Sequence, residues 1–295
     1  MKIKLLATII SSLLLISSAY SQEAKFMVLG AKGEVMVDGK KIHTGDMLLS
    51  GQSVEISGTA PYLGLASIMG GTLELKESGT FKVDELEKKL GSAESDLVSK
   101  YVDFIKDELT GSGETASTQA KYGSVTRSLK KKPIFFHIPI NSNAIKSEVN
   151  LTWELKGSEN KEDVSFKIYI KDRKHHVLIE DEVEGTEYKL DLNDPKLNDQ
   201  KYLFYYVEDA KNNKIASDLY AFTVYTDGDS EETAKEIEML KANETAIGQL
   251  ILAKFYEEKG FIVNASTAYE NAIALSNGDE QFVKLYENFQ TRYGS

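Results

Sequence analysis

Gly33-Glu34-Val35-Met36-Val37-Asp38-Gly39-Lys40-Lys41-Ile42-His43-Thr44-Gly45-Asp46-Met47-Leu48-Leu49-Ser50-Gly51 is a series of short apolar runs cut by a glycine at close intervals. Such punctuation suits tight turns between short strands. The pattern extends over residues 23–83, where Gly58 and Gly70-Gly71 continue the breaks. Within it Tyr62-Leu63-Gly64-Leu65 and Thr72-Leu73-Glu74-Leu75-Lys76 alternate. Period-two spacing puts Leu73 and Leu75 on one sheet face and Thr72, Glu74 and Lys76 on the other. The expectation is a compact all-β unit whose glycines are turn formers.

The rest of the chain bounds what this unit can belong to. Its 295 residues leave room for two or three domains, each with its own core. A net charge of −11 argues against broad nucleic-acid binding, which needs a positive surface. The charge is uneven, with 6 Lys and Arg against 13 Asp and Glu over residues 227–295. There is no cysteine, hence no disulfide framework and no thiol to carry a lipid. At the start, Met1-Lys2-Ile3-Lys4 is a basic n-region followed by an apolar run from Leu5 to Ser18. Ala19-Tyr20-Ser21 then offers small residues three apart, so residues 1–21 read as a cleavable export signal, with the mature chain starting at Gln22. The run is too short to span a bilayer, and no later segment is apolar enough. The chain is expected to be exported, to the periplasm or the medium, and not to be an integral membrane protein.

Residues 86–109 change period. Leu90, Leu97, Tyr101, Ile105 and Leu109 form an apolar stripe, with Ser92 or Ser95 as N-cap, and the resulting amphipathic helix is expected to cover the β unit. Its acidic polar face argues against a membrane-surface role. Residues 111–132, ending in Lys130-Lys131-Lys132, read as a linker. Residues 133–226 then hold strand-like runs at 149–155, 164–170, 177–179, 188–192, 202–207 and 221–225, which suit a β-sandwich with Trp153 facing its core. An acidic link, Asp227 to Glu232, leads into helices over residues 230–295.

Three resemblances follow from these residues. The strand from Gly33 to Val37, Gly45-Asp46, Gly51 with Val54, and Gly71-Thr-Leu-Glu-Leu resemble the FecR-type domain of bacterial periplasmic regulators and envelope proteins. That family implies a small β-only unit without catalytic chemistry. Its founding regulators add a cytoplasmic segment and a membrane span, where this chain has an export signal. Trp153, Leu197 before Tyr202 as a tyrosine corner, and the strand from Tyr202 to Val207 resemble a fibronectin type III or immunoglobulin-like domain. Leu252-Ala253, Tyr256, Gly260, Ala265, Tyr269 and Ala272 fall at the offsets of a tetratricopeptide repeat. That resemblance implies a helical groove for a protein partner, with Gln249, Tyr256, Asn264 and Asn271 as candidate contact residues.

No enzyme motif emerges, and no cofactor or metal is expected. Gly111-Ser-Gly113-Glu-Thr-Ala116 has dinucleotide-binding spacing but follows a helix rather than a strand. His175-His176 lacks a third metal ligand at a convincing spacing. Asp227, Asp229 and Glu231 open like a calcium loop, yet Glu232 stands where glycine is required. His43, Asp46 and the nearby Ser50 or Ser53 lack a nucleophile elbow. The sequence thus points to an exported, non-catalytic envelope protein that binds or scaffolds others. The alternatives are a sensor component of FecR-type signalling and a cell-wall or carbohydrate binder that uses exposed tyrosines.

Overall fold

The computed structural model describes residues 23–90, 96–110, 132–156, 164–226 and 230–293. Residues 1–22, read from sequence as an export signal, nearly all of residues 111–132, read as a linker, Asp227, Asp229, and the two serines considered as N-caps lie outside these residues. The fold is mixed, with three sheets followed by a helical C-terminal part. Among the described residues no helix is long and apolar enough to cross a membrane.

The opening stretch does form strands. β1 (Ala24–Val37), β2 (Lys40–Lys41), β3 (Met47–Leu49), β4 (Ser53–Ser67), β5 (Thr72–Leu75) and β6 (Gly79–Lys82) make one six-stranded antiparallel sheet. Asp38 and Gly39 both adopt positive φ, the geometry of a two-residue hairpin between β1 and β2. β1 and β4 pair along most of their lengths, and both faces are buried over Val28–Gly30 of β1 and Pro61–Ser67 of β4. Leu63 and Leu65 point into the sheet's own core with Phe26 and Val28. Tyr62 and Ala66 point the other way, into a second and larger core that includes the helices.

Residues 86–109 do not make one helix. α1 (Val83–Leu86) and a 3-10 turn (Glu87–Lys89) close the first core, and α2 (Asp96–Thr110) is separate. α2 touches β1 of the sheet it was expected to cover, and its broader contact is with the helical region. Tyr101 on α2 meets Phe255 of the helical region edge to face, with ring centroids 6.0 Å apart. Tyr101, Val102 and Ile105 join the larger core, which also holds Leu29, Tyr62 and Ala66 of the first sheet.

The middle of the chain gives β7 (Ile134–Phe136), β8 (Asn141–Ile145), β9 (Glu148–Leu155), β10 (Ser165–Lys171), β11 (Val177–Glu184), β12 (Glu187–Asp191), β13 (Tyr202–Asp209) and β14 (Tyr220–Tyr225). They form a five-stranded sheet, β11-β10-β13-β14-β8, and a three-stranded sheet, β12-β9-β7. The sheets face each other across aromatic rings: Trp153 meets Phe166 at 5.5 Å, and Phe136 meets Tyr205 at 5.1 Å and Tyr220 at 4.8 Å. Trp153 is 2% exposed, inside this core. Tyr202 is not a tyrosine corner. It is 41% exposed, and Arg173 and Lys201 lie over its ring. A corner requires a buried ring with its hydroxyl returned to the backbone.

Four helices complete the chain: α3 (Glu231–Lys241), α4 (Ala246–Lys259), α5 (Ile262–Leu275) and α6 (Glu280–Tyr293). Ser230 and Thr245 cap α3 and α4 by accepting from the backbone of Thr233 and Gly248. Gly260 ends α4 in the left-handed conformation, and α5 follows directly as the second arm of a hairpin. The first sheet grips both ends of this region. Glu74 Oε1 accepts from Tyr62 Oη (2.9 Å) and from the Ile247 N–H in the first turn of α4 (2.8 Å). Asp279 likewise caps α6, accepting from Gln281 and Phe282. A Cβ on Gly30 would stand 3.0 Å from Phe282 and 3.2 Å from Asp279, so β1 reaches this helix end only as glycine.

Candidate functional site

α5 is the element around which every candidate site is built. From Ile262 to Tyr269 all of its residues are buried, polar ones included. Three of the polar side chains, three residues apart, follow the exposed edges of the two facing sheets. β8 ends its sheet, so its outer backbone groups have no neighbouring strand. Asn264 supplies the partners, with Oδ1 accepting from the Ile145 N–H at 2.8 Å and Nδ2 donating to the Ile145 carbonyl at 3.1 Å. β7 pairs with β9 only over residues 153–155, leaving the earlier part of that edge open. There the Asn150 N–H donates to Thr267 Oγ1 at 2.8 Å, while Asn150 Nδ2 and Thr152 Oγ1 donate to Glu270 at 3.0 and 2.9 Å. The helix thus blunts edges that would otherwise invite further strands.

A pocket of about 240 Å³ opens between α3, the α4–α5 hairpin and the Ser147-Glu148 corner. It brings Gln249, Tyr256, Asn264 and Asn271 onto one wall, all four of the residues singled out from sequence. Their roles differ. Asn264 also donates to Ser147 Oγ at 2.9 Å, so its amide is spent inside the molecule and it positions rather than contacts. Gln249 and Asn271 meet each other at 3.5 Å, a contact loose enough to be exchanged for a ligand. Tyr256 is buried, and its hydroxyl has no hydrogen-bond partner among the described residues. Burial alone drives its pKa up, keeping it a neutral donor.

The residue that sequence reasoning missed in this pocket is Lys241. It stands in the last turn of α3, makes no ion pair among the described residues, and has its pKa lowered by burial. A cation at a helix C-terminus is ordinary on the sequence page. Only the approach of the hairpin makes this one distinctive. Lys241, Tyr256, Gln249 and Asn271 together offer donors to a ligand, with the Glu148 carboxylate at the opposite rim.

A larger cleft of about 500 Å³ lies on the other side of Asn271, between the three-stranded sheet and α5–α6. Glu270 is its floor. Burial pushes this carboxyl up, assisted by the nearby charge of Glu187, while hydrogen bonds from Tyr286, Asn150 and Thr152 pull it back only in part. Tyr286 Oη donates at 2.7 Å. With three donors fixed on it from β9 and α6, Glu270 ties α5 to both elements.

A buried charge cluster lies where α2, α4 and α6 meet. Lys254 is 3.1 Å from Glu108 and 2.9 Å from Glu257, and Arg292 is 3.0 Å from each of the same carboxylates. Tyr269 Oη also donates to Glu257 at 3.1 Å, and Lys254 lies 4.2 Å from the centre of the Phe104 ring. Two cations balance two anions, and the group joins three helices.

The remaining sequence candidates occupy turns. Lys174 and His176 donate their backbone N–H groups to Asp172 Oδ1, both at 2.8 Å, and His176 Nδ1 lies 3.0 Å from Oδ2. His43 donates its N–H to Asp46 at 2.7 Å and its Nδ1 lies 3.8 Å from the same carboxylate, but Ser50 Oγ donates to Asp84 and does not join the pair. Residues 111–116 and the first two acidic residues of the calcium-like run lie outside the described residues.

No family model matches the chain, and no curated protein matches it. Among solved structures it is similar to dimeric latent PorU from Porphyromonas gingivalis, at 9% identity and a TM-score of 0.26. The match covers 72% of this chain and 17% of that one, so the chain spans a small part of PorU's length. A likeness so remote says nothing of this chain's activity.

Proposed function

We propose that this is an exported, non-catalytic cell-envelope protein that binds another protein through its helical C-terminal region. In this reading residues 23–110 are a FecR-like β domain with its helices, residues 133–226 a fibronectin type III-like sandwich, and residues 230–295 a tetratricopeptide-like hairpin with flanking helices. The observation that carries it is the convergence of Gln249, Tyr256 and Asn271 on one pocket with Lys241, which makes no ion pair among the described residues. An aromatic hydroxyl with no partner among the described residues, two amides and a cation form a donor-rich wall, which suits the carboxylate or backbone carbonyls of a peptide.

The site differs from an open repeat groove in one respect. α5 gives much of its surface to the chain's own sheets, so the surface left for a partner is the α3–α4 side. A photoreactive amino acid at Gln249 or Asn271, in cells making the full chain, is expected to crosslink one envelope protein. The same group at Lys40, exposed on the far hairpin, should not. Lys241→Glu should abolish the adduct. Equal labelling from all three positions, or labelling indifferent to Lys241→Glu, would refute the reading.

A further inference from the structure

The cleft of about 500 Å³ holds two opposite charges that nothing in the chain answers. Its sheet wall is the outward face of β9 and β12, where Asn150 and Thr152, which donate to Glu270, stand opposite Lys189 and Glu187. Cross-strand partners share a face of the sheet. The Lys189 and Glu187 side chains therefore rise beside Glu270, two residues and roughly 7 Å apart. Both residues are exposed, and neither side chain has an ion pair or a hydrogen bond among the described residues. Glu187 is close enough to Glu270 for its charge to push that carboxyl up, yet no lysine or arginine among the described residues pairs with either.

The rest of the lining narrows what fits. One step further along β9, Glu154 already has His137 at 3.2 Å. From the helical side Asn271 and Gln290 present side-chain amides, and Ala274 is the one aliphatic residue among those that line the cleft. An apolar ligand would desolvate these groups without pairing them. A polyanion would meet Glu154, Glu187 and Glu270 together. A saccharide would lack a ring to lie on, because Tyr286 stacks on Tyr269 and Phe289, and Trp153 packs on Phe166 in the sandwich core.

We infer that this cleft binds a short peptide in its zwitterionic form. The peptide's ammonium group meets Glu187 beside Glu270, and its carboxylate meets Lys189. Its backbone N–H and carbonyl groups pair with the amides of Asn271 and Gln290, each of which both donates and accepts. A single amino acid brings the two charges but no peptide group for those amides. The cleft's volume lies within the ordinary range of small-ligand sites. Of these residues only Asn271 also reaches the pocket of Lys241.

The test titrates the full chain at neutral pH with trialanine, N-acetyl-trialanine, trialanine amide and cellotriose. Saturable binding of trialanine is expected, and blocking either end should weaken it about tenfold. In Glu187→Gln the acetyl group should cost nothing further, and in Lys189→Gln the amide should cost nothing further, because each variant removes the charge that reads that end. Both positions are exposed, so the variants keep the wild-type circular dichroism. Lys241→Gln, in the other pocket, should leave trialanine binding unchanged. Absence of saturable binding, equal affinity for free and blocked peptides, or tighter binding of cellotriose overturns the inference.

Discussion

The side-chain amide of Asn264 pairs with both backbone groups of Ile145, donor to acceptor and acceptor to donor. A helix therefore gives the edge strand β8 what a neighbouring strand would have given. Asn264→Leu keeps the volume close and removes both bonds, stranding a buried N–H and a buried carbonyl. The expected loss of stability is about 2–4 kcal/mol. Denaturant unfolding followed by the fluorescence of Trp153, the sole tryptophan, measures it. A change within experimental error would mean that water replaces the amide.

Arg292 answers two carboxylates, Glu108 and Glu257, that otherwise share only Lys254. Arg292→Met should cost about 2–3 kcal/mol, at or just below the lower end of the range for breaking a fully buried pair, because the guanidinium keeps some access to water. Adding Glu257→Gln should recover part of that loss, since it removes one of the stranded charges. A thermal or urea titration of the two variants separates these outcomes.

Glu270 carries a pH signature. Its carboxyl is raised above the ordinary value of 4.5, chiefly by burial, so the folded state holds its proton more tightly than the unfolded chain does. The stability it contributes is complete below pH about 4.5 and is lost as the pH rises through the folded pKa. Glu270→Gln does not titrate. Its stability relative to wild type should therefore rise between pH 4 and pH 7, and a difference that is flat or falls over that interval would contradict the buried-acid account.

Lys241 is the corresponding case for a base. Lys241 is itself exposed, but partial desolvation of its ammonium at the pocket lowers its pKa, so more of it is free amine at a given pH than of a fully solvated lysine. Brief acylation at pH 8, read by peptide mass spectrometry, should modify Lys241 ahead of the exposed Lys40 and Lys41. A peptide ligand seated in the pocket should slow that reaction.

The strands of the first sheet were legible because their turns are written in glycine and their faces in alternation, as Asp38-Gly39 and Leu73-Glu74-Leu75 show. β7 and β8 were not. Ile134-Phe135-Phe136 is too short to alternate, and Asn141-Ser142-Asn143 has the composition of a loop, so both acquire strand character only from β9 and β14. The hairpin of α4 and α5 was marked by its small residues and Gly260. What its polar residues do was not marked. Asn264, Thr267 and Glu270 look alike on a helical wheel to solvent-facing side chains, and only the presence of open sheet edges alongside turns them inward. Lys241 carried no signal, because the crowding that partly desolvates its ammonium comes from helices that follow it in the chain, while the residue stays exposed.

The position of α5 in the sequence bears on how the chain matures. Every strand whose edge it seals is made before it, some of them more than a hundred residues earlier. Those contacts are non-local, and their closure is correspondingly slow. A nascent chain lacking its last quarter would hold nearly complete sheets with unprotected margins, the state most open to mispairing with another copy. The last helices therefore act as the closing step of assembly, and a stall or truncation upstream of Ile262 should yield aggregation rather than a shorter working protein.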